Sequence, residues 1–208
     1  MPSRTLVADH LLFDSRLALF HQSARWLAIA DLHYGYELSQ RASGALFPAW
    51  GMEKIEQRLM SLLTDYQPQT VLFLGDLVHT AAAAQAFSRW LLILRAAVPN
   101  LVLLRGNHDR HLRDIAMYDQ WRIDLALFHH GDRIIESQPE DVLFSGHLHP
   151  AHSLSDGAGL QQKLPTLCRT ARGWILPAFS PWAAGGRPQD VEILERWVSN
   201  HDKIWKLR

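Results

Sequence analysis

The sequence predicts a layered α/β domain on three grounds. Short apolar runs alternate with helical patterns in the order strand, loop, helix, strand over the central part of the chain. The helical stretches carry apolar residues at helical spacing and end near proline. Five short polar clusters rich in Asp, Asn and His punctuate the chain, and four of them directly follow an apolar run. Each of those four clusters is therefore expected on the turn where a buried strand ends, where a rigid scaffold can aim it.

The first 30 residues read as short strands. Leu11-Leu12-Phe13 and Leu17-Ala18-Leu19-Phe20 flank Asp14-Ser15-Arg16, a hairpin turn. A strand over residues 27–30 delivers Asp31. Residues 52–66 turn helical, with Ile55, Leu59, Leu62 and Leu63 on one face and Pro68 as the stop. The strand over 71–74 delivers Asp76, and residues 81–97, rich in Ala and Leu, read as a second helix. The strand over 101–104 delivers Asn107, that over 125–128 delivers His130, and that over 142–144 delivers His147 and His149. Residues 166–168 and 174–176 look extended, with Arg172-Gly173 as the turn between them. Residues 191–198 suit a strand or a short closing helix. No linker, repeat or low-complexity segment interrupts the pattern, so residues 1–208 are expected to form a single domain.

Composition narrows the partners. The 208 residues are 48% hydrophobic and 20% charged, as in an ordinary globular domain. Lys plus Arg is 21 and Asp plus Glu is 21, so the formal charge is zero. That balance gives no general electrostatic footprint for nucleic acid, and a nucleic-acid substrate would have to be held locally. Cys168 stands alone, which excludes an internal disulfide and a cysteine-based zinc site, and it reads as a small buried hydrophobe. The N-terminal residues lack an apolar signal core, and no segment approaches the roughly 20 apolar residues that span a bilayer. A cytoplasmic protein without a membrane partner is expected. Of the eight tryptophans, Trp26, Trp90 and Trp174 lie on strand or helix patterns and read as core. Trp50 and Trp182 lie on loops, where core packing and stacking on a substrate are both open.

The clusters are Asp31-Leu32-His33, Gly75-Asp76, Gly106-Asn107-His108-Asp109, His130-Gly131 and Gly146-His147-Leu148-His149. Seven ligand-type side chains (Asp31, His33, Asp76, Asn107, His130, His147 and His149) would be gathered at strand ends for no packing gain unless a cation justified them. On an extended turn, residues i and i+2 share a face, so Asp31 and His33 are expected to serve one ion together. His147 and His149 pair by the same reasoning, or diverge to two ions. Asp76 follows a glycine and is the candidate bridge, since a carboxylate has an oxygen for each of two cations. Asn107 adds a neutral carbonyl oxygen. Mixed imidazole and carboxylate ligation suits Mn, Fe, Zn or Ni better than Mg or Ca. Two such ions about 3.5–4 Å apart form a clamp for in-line phosphoryl chemistry.

His108 follows a ligand directly and is expected to point away from the ions, toward a substrate, where it would act as the acid. Asp109 is expected to fix its tautomer. His79, three residues beyond Asp76, and Arg110, beside the acid loop, are candidate contacts for the substrate phosphate together with Asn107 and His108.

At this point the clusters resemble the calcineurin-like metallophosphoesterase superfamily, whose pattern is Asp-x-His, Gly-Asp, Gly-Asn-His-Asp/Glu, His before Gly, and Gly-His-x-His. The resemblance covers residues 31–149. It implies a four-layer fold, a two-sheet β-sandwich flanked by helices, with a dimetal site at the strand ends. It assigns Asp31, His33, Asp76 and His149 to one metal and Asp76, Asn107, His130 and His147 to the other. It also prefers His130, directly before the glycine, over His129. A narrower resemblance rests on Ala30-Asp31-Leu32-His33-Tyr34-Gly35-Tyr36-Glu37, Gly75-Asp76-Leu77-Val78-His79, Gly146-His147-Leu148-His149-Pro150-Ala151, and Leu176-Pro177-Ala178-Phe179 followed by Gly185-Gly186. These are similar to the bacterial ligase-associated DNA-damage-response endonucleases. That likeness implies two manganese ions, DNA-nicking phosphodiesterase activity in repair, and functional association with a DNA ligase and a helicase. Tyr36 departs from the group, where a basic residue is frequent.

Only 22 residues separate Asn107 from His130, which leaves no room for an inserted cap over the site. An open site suits a nuclease or other diesterase acting on polymers. It equally admits a small-molecule phosphoesterase acting on nucleotides or cyclic nucleotides. A non-catalytic scaffold would be expected to have lost ligands or the acid histidine, and here all are present.

Overall fold

The computed structural model describes residues 2–155, 157–159, 161–183 and 185–207. Strands β1 (Arg4–Ala8), β2 (Leu11–Asp14), β3 (Ala18–His21), β4 (Trp26–Ile29), β5 (Thr70–Phe73) and β6 (Asn100–Leu103) form one sheet in chain order. β1 to β4 are antiparallel, and β4, β5 and β6 are parallel. A parallel pair needs a long crossover. Helices α1 (Tyr36–Ala42) and α2 (Gly51–Tyr66) fill the first crossover, and α3 (Ala81–Ala97) fills the second.

The second sheet contains β7 (Gln120–Ile123), β8 (Ala126–His129), β9 (Val142–Ser145), β10 (Ala151–Ser155), β11 (Gln161–Thr170), β12 (Gly173–Ile175), β13 (Glu195–Ser199) and β14 (Ile204–Leu207). Its order is β14-β13-β11-β12-β9-β8-β7, with β10 added on β11. β8, β9 and β12 are mutually parallel and the remaining pairs are antiparallel.

Local chemistry accounts for the boundaries. In the β2–β3 turn, Asp14 Oδ1 accepts the Arg16 backbone N–H at 2.8 Å, and its two oxygens take the Arg16 guanidinium at 2.9 and 2.7 Å. α2 stops where Gln67 turns left-handed just before Pro68. α3 stops at Val98, which is extended because Pro99 follows it.

The two sheets meet face to face. Trp26 of β4 is 1% exposed. Its indole meets Phe128 of β8 and Phe144 of β9 edge-on at 5.0 and 5.2 Å, and those two rings stack at 5.0 Å. Full burial of each phenylalanine contributes roughly 1.5–3 kcal/mol. The other face of the first sheet is covered by helices, with Tyr66 of α2 stacked on Phe20 at 4.4 Å and Trp90 of α3 against Phe73 at 6.3 Å. Trp174 and Cys168 are buried, as expected for core residues. Among the described residues, no helix is long and apolar enough to cross a membrane.

The expected strands and both expected helices are present, and of the segment 191–198 only the second half is a strand, beginning at Glu195, while residues 191–194 have no regular structure. β13 pairs with β11 on one side and β14 on the other, and that pairing buries Trp197, Val198 and Ser199. Sequence patterning missed α1, β7, β10 and β14.

Candidate metal centre

The strand ends deliver the clusters as expected. Asp31 and His33 follow β4, Asp76 follows β5, Asn107 and His108 follow β6, His130 follows β8, and His147 and His149 follow β9. Six-stranded and eight-stranded sheets thus contribute together, and the site lies on the seam between them. Residues 178–180 close that seam. Ala178 bridges to Ala30, the Phe179 N–H donates to the Ala30 carbonyl at 2.7 Å, and the Ser180 N–H donates to the Asp31 carbonyl at 3.1 Å. The Leu176-Pro177-Ala178-Phe179 run therefore has a local job, joining the second sheet to the strand that carries Asp31.

The backbone at the ligands is not extended. Asp31, His33, Asp76, His147 and His149 all have positive φ, from 41° to 66°. The expectation that Asp31 and His33 share one face of an extended turn is corrected here. They converge because each turns left-handed after its strand. Asp and His tolerate this region better than most residues, yet each such position still costs of order 1–3 kcal/mol. His108 is likewise helical rather than extended, at φ −85° and ψ −13°.

Two groups of ligand atoms result. Asp31, His33, Asp76 and His149 each offer an atom within 4.8 Å of the others, and so do Asp76, His130 and His147. Asp76 belongs to both. In the first group the Nε2 atoms of His33 and His149 lie 3.3 Å apart, with His149 Nε2 3.4 Å from Asp31 Oδ1 and His33 Nε2 3.8 Å from Asp76 Oδ2. In the second, His130 Nε2 lies 3.4 Å from Asp76 Oδ1 and 3.2 Å from Asn107 Oδ1, which brings Asn107 into that group.

Hydrogen bonds aim these groups. His130 Nδ1 is 2.8 Å from the Leu74 carbonyl, an acceptor, so that nitrogen donates and Nε2 is the one turned to the site. The His147 N–H donates to Asp31 Oδ2 at 2.9 Å, and the His108 N–H donates to Asp76 Oδ1 at 3.0 Å. Close approach requires three of the cluster glycines. A Cβ on Gly75 would fall 2.5 Å from His130 Nδ1, one on Gly106 would fall 2.2 Å from Asp76 Oδ1, and one on Gly146 would fall 2.5 Å from Asp31 Oδ2. Each glycine makes room for a ligand from another loop.

Electrostatically the donors fit a cation. Asp31 is 0% and Asp76 2% exposed, and among the described residues their ion-pair partners are imidazoles alone. Burial, reinforced by four neighbouring imidazoles, pushes His33 down to about 2, which keeps it neutral and ready to ligate. His149 moves up although burial opposes it, because Asp31 bonds to it. His130 Nε2 faces carboxylate and amide oxygens, an arrangement that a shared cation stabilises. His129 lies outside both groups at the end of β8, where burial lowers it to about 4.

The remaining candidates divide. His108 and His79 stack at 5.2 Å, each about 5.5 Å or less from the His33 ring, and both line a cleft of about 200 Å³ over the site. Arg110 is exposed on a single 3₁₀ turn, Asp109–His111, and among the described residues makes no side-chain bond. Asp109 has a different partner set from the one expected. Its Oδ1 accepts the Leu77 and Val78 N–H groups at 2.7 and 3.2 Å, and its Oδ2 accepts the Gly106 N–H at 2.8 Å. Both oxygens are thus engaged by backbone rather than by the His108 ring, and Asp109 ties the β5 loop to the β6 loop. Burial raises it to about 6, against the pull of those three bonds.

The role of Glu37 was not foreseen. Glu37, 0% exposed, accepts the Met52 N–H at the start of α2 at 2.7 Å and the Trp182 indole N–H at 3.1 Å. Tyr36 and Trp182 line the cleft with His33, His108 and His149. The only sequence signal for Glu37 was its place in the Asp31–Glu37 run, because α1 is too short to show periodicity.

A two-sheet sandwich with paired Asp/His groups at its strand ends defines a metal-dependent phosphoesterase. The sequence profile of calcineurin-like phosphoesterases matches residues 24–202, and the chain belongs to that family. Its fold is similar to the crystal structure of Pseudomonas putida nuclease MPE, with a TM-score of 0.77 and 23% identity over 100% of both chains. The Escherichia coli phosphoesterase Yfce matches at TM-score 0.49 and 16% identity, over 88% of this chain and 97% of that one. No curated protein sequence matches the chain.

Proposed function

We propose that the protein is a dimetal phosphodiesterase that nicks DNA, working in repair in the cytoplasm. The observation that carries this reading is the sharing of Asp76 between two ligand groups, one completed by Asp31, His33 and His149 and the other by Asn107, His130 and His147. Two divalent ions, best supplied as Mn2+, with Fe, Zn or Ni also suited to this donor set, would polarise the phosphoryl oxygens and lower the pKa of water.

The chain's own residues do the rest. His108 faces the cleft and donates a proton to the leaving oxygen. His79, stacked on it, and Asn107 hold the phosphate, and Arg110 meets the adjoining strand. Asp109 is a positioning residue that fixes the loop carrying Asn107 and His108. The open cleft supports a polymeric substrate. The narrower likeness supports functional association with a DNA ligase and a helicase.

A second reading, a phosphoesterase for nucleotides or cyclic nucleotides, is favoured by the cleft lining, which among the described residues has no Lys or Arg. Cleavage of circular plasmid DNA and of bis-p-nitrophenyl phosphate with manganese separates the two. Cutting of both supports the endonuclease, whereas cutting of the small diester alone moves the substrate to nucleotides.

A further inference from the structure

The cleft over the metal centre has an aromatic wall that phosphoryl chemistry does not use. Tyr36 and Trp182 face each other across it, ring centroids 6.5 Å apart and 28° from parallel. That spacing is close to twice the roughly 3.4 Å rise between stacked bases. Phe47 closes one side, meeting Tyr36 and Trp182 edge-on at 5.5 and 4.6 Å. Trp50 backs Trp182 at 4.3 Å and carries Lys54 on its own ring at 5.0 Å.

The wall is held in place. The Glu37 carboxylate is fully buried, and it bonds both the Trp182 indole and the first turn of α2. Gly51 is required beside it, since a Cβ there would lie 2.1 Å from Trp182 Nε1. A buried carboxylate committed to orienting a half-exposed indole fixes a binding surface ahead of any ligand. The same cleft is lined by His33, His108 and His149. A group bound beside the wall therefore lies next to any phosphate held at the candidate metal centre.

We infer that Tyr36, Phe47 and Trp182, backed by Trp50, form a ring-binding subsite that stacks one nucleobase flanking the scissile phosphate. The occupant must be flat, must present π faces, and needs no charge, because among the described residues no Lys or Arg lines the cleft. A nucleobase meets all three conditions, whereas a sugar or an alkyl ester is neither flat nor a π system. The inference deepens the phosphodiesterase reading and rests on it. It makes the aromatic wall the determinant of preference for nucleotidic diesters.

The test compares a thymidine dinucleotide with the same diester built from two abasic tetrahydrofuran units, in manganese-loaded enzyme. The wild type is expected to prefer the base-bearing dimer, and Trp182→Ala to reduce that ratio of kcat/KM about 5- to 150-fold, the usual worth of one stacked base. Trp182→Phe should recover most of the ratio. Tyr36→Leu and Trp50→Ala, which leave the Glu37 bond intact, should reduce it even if Trp182→Ala folds poorly. An unchanged ratio in the folded variants overturns the inference. The phosphodiesterase reading fails separately, by lack of turnover of bis-p-nitrophenyl phosphate. In that event, quenching of indole fluorescence by thymidine monophosphate but not by deoxyribose 5-phosphate still supports the subsite, and equal quenching by both overturns it.

Discussion

The Nε2 atoms of His33 and His149 face each other at 3.3 Å, although 116 residues separate them and they hang from different sheets. His33 also meets Asp76 from its own sheet, whereas His149 reaches Asp31 across the seam. The contact exists because the two sheets share an edge at which Asp31 and Asp76, both buried, gather imidazoles around them. The consequences can be tested one residue at a time.

Asp76 is the residue common to both ligand groups. Asp76→Ala should abolish binding of two ions, so that metal analysis after manganese loading falls from two per chain toward none. Asp31→Ala should remove one ion preferentially. Two ions retained in Asp76→Ala would refute its sharing.

His108 contributes its backbone N–H to Asp76 and its ring to the cleft. His108→Ala should keep both ions and lose turnover about 10²–10⁴-fold, the usual contribution of a positioned proton donor. The loss should be largest for diesters with poor leaving groups. Equal rates on such a diester would remove His108 from proton transfer.

Asp109 satisfies three buried N–H groups in two loops. Asp109→Ala leaves them unpaired, at about 1–3 kcal/mol each, so urea denaturation should show a loss on the order of 3 kcal/mol. Asp109→Asn keeps one acceptor oxygen and should lose less. If Asp109 served the His108 tautomer instead, Asn would cost turnover while leaving stability intact.

His201 sits far from the ligands in sequence, and burial, with the Arg58 and Lys54 cations, lowers it to about 4. The unfolded chain therefore binds a proton there between about pH 6.5 and 4 that the folded chain refuses. Stability should rise with pH across that window and fall on acidification, by at most about 1.4 kcal/mol per pH unit from this one group. His201→Gln should flatten the slope of unfolding free energy between pH 4 and 6.5. An identical slope would show that the imidazole titrates normally.

Ligands from both sheets imply that bound ions join the sheets. Stripping metal with a chelator should lower the melting temperature, and restoring manganese at a thousandfold excess over its dissociation constant should return about 4 kcal/mol per bound ion. No change would mean that the ions bind folded and unfolded chains alike.

The site was more legible in the sequence than the fold around it. Ligand identity follows from chemistry that tolerates few residue types, and the strands that deliver Asp31, Asp76 and Asn107 are apolar runs with clear ends. α3 was readable to the residue because Ala, Leu and Pro99 leave little choice. β10 and β14 were not, since polar and apolar residues mix on their exposed faces, where Leu154 and Trp205 lie, and their partners lie on β11 and β13, pairings that no local pattern reveals. The role of Asp109 was misread because sequence neighbours suggest a contact with His108, whereas the 3₁₀ turn swings the carboxylate toward Leu77 and Val78. Glu37 lay hidden because its partners, Met52 and Trp182, are remote in the chain.

Five of the seven candidate ligands occupy left-handed backbone. Two sieves thus act in series on any variation at these positions. The turn screens first, rejecting Val, Ile and Thr before coordination is ever at issue, and admitting chiefly Asn, Asp, His and Gly. A descendant that abandoned its ions would still be confined to that short alphabet. Its decayed centre would be recognisable by asparagines and glycines standing where aspartates and histidines once stood.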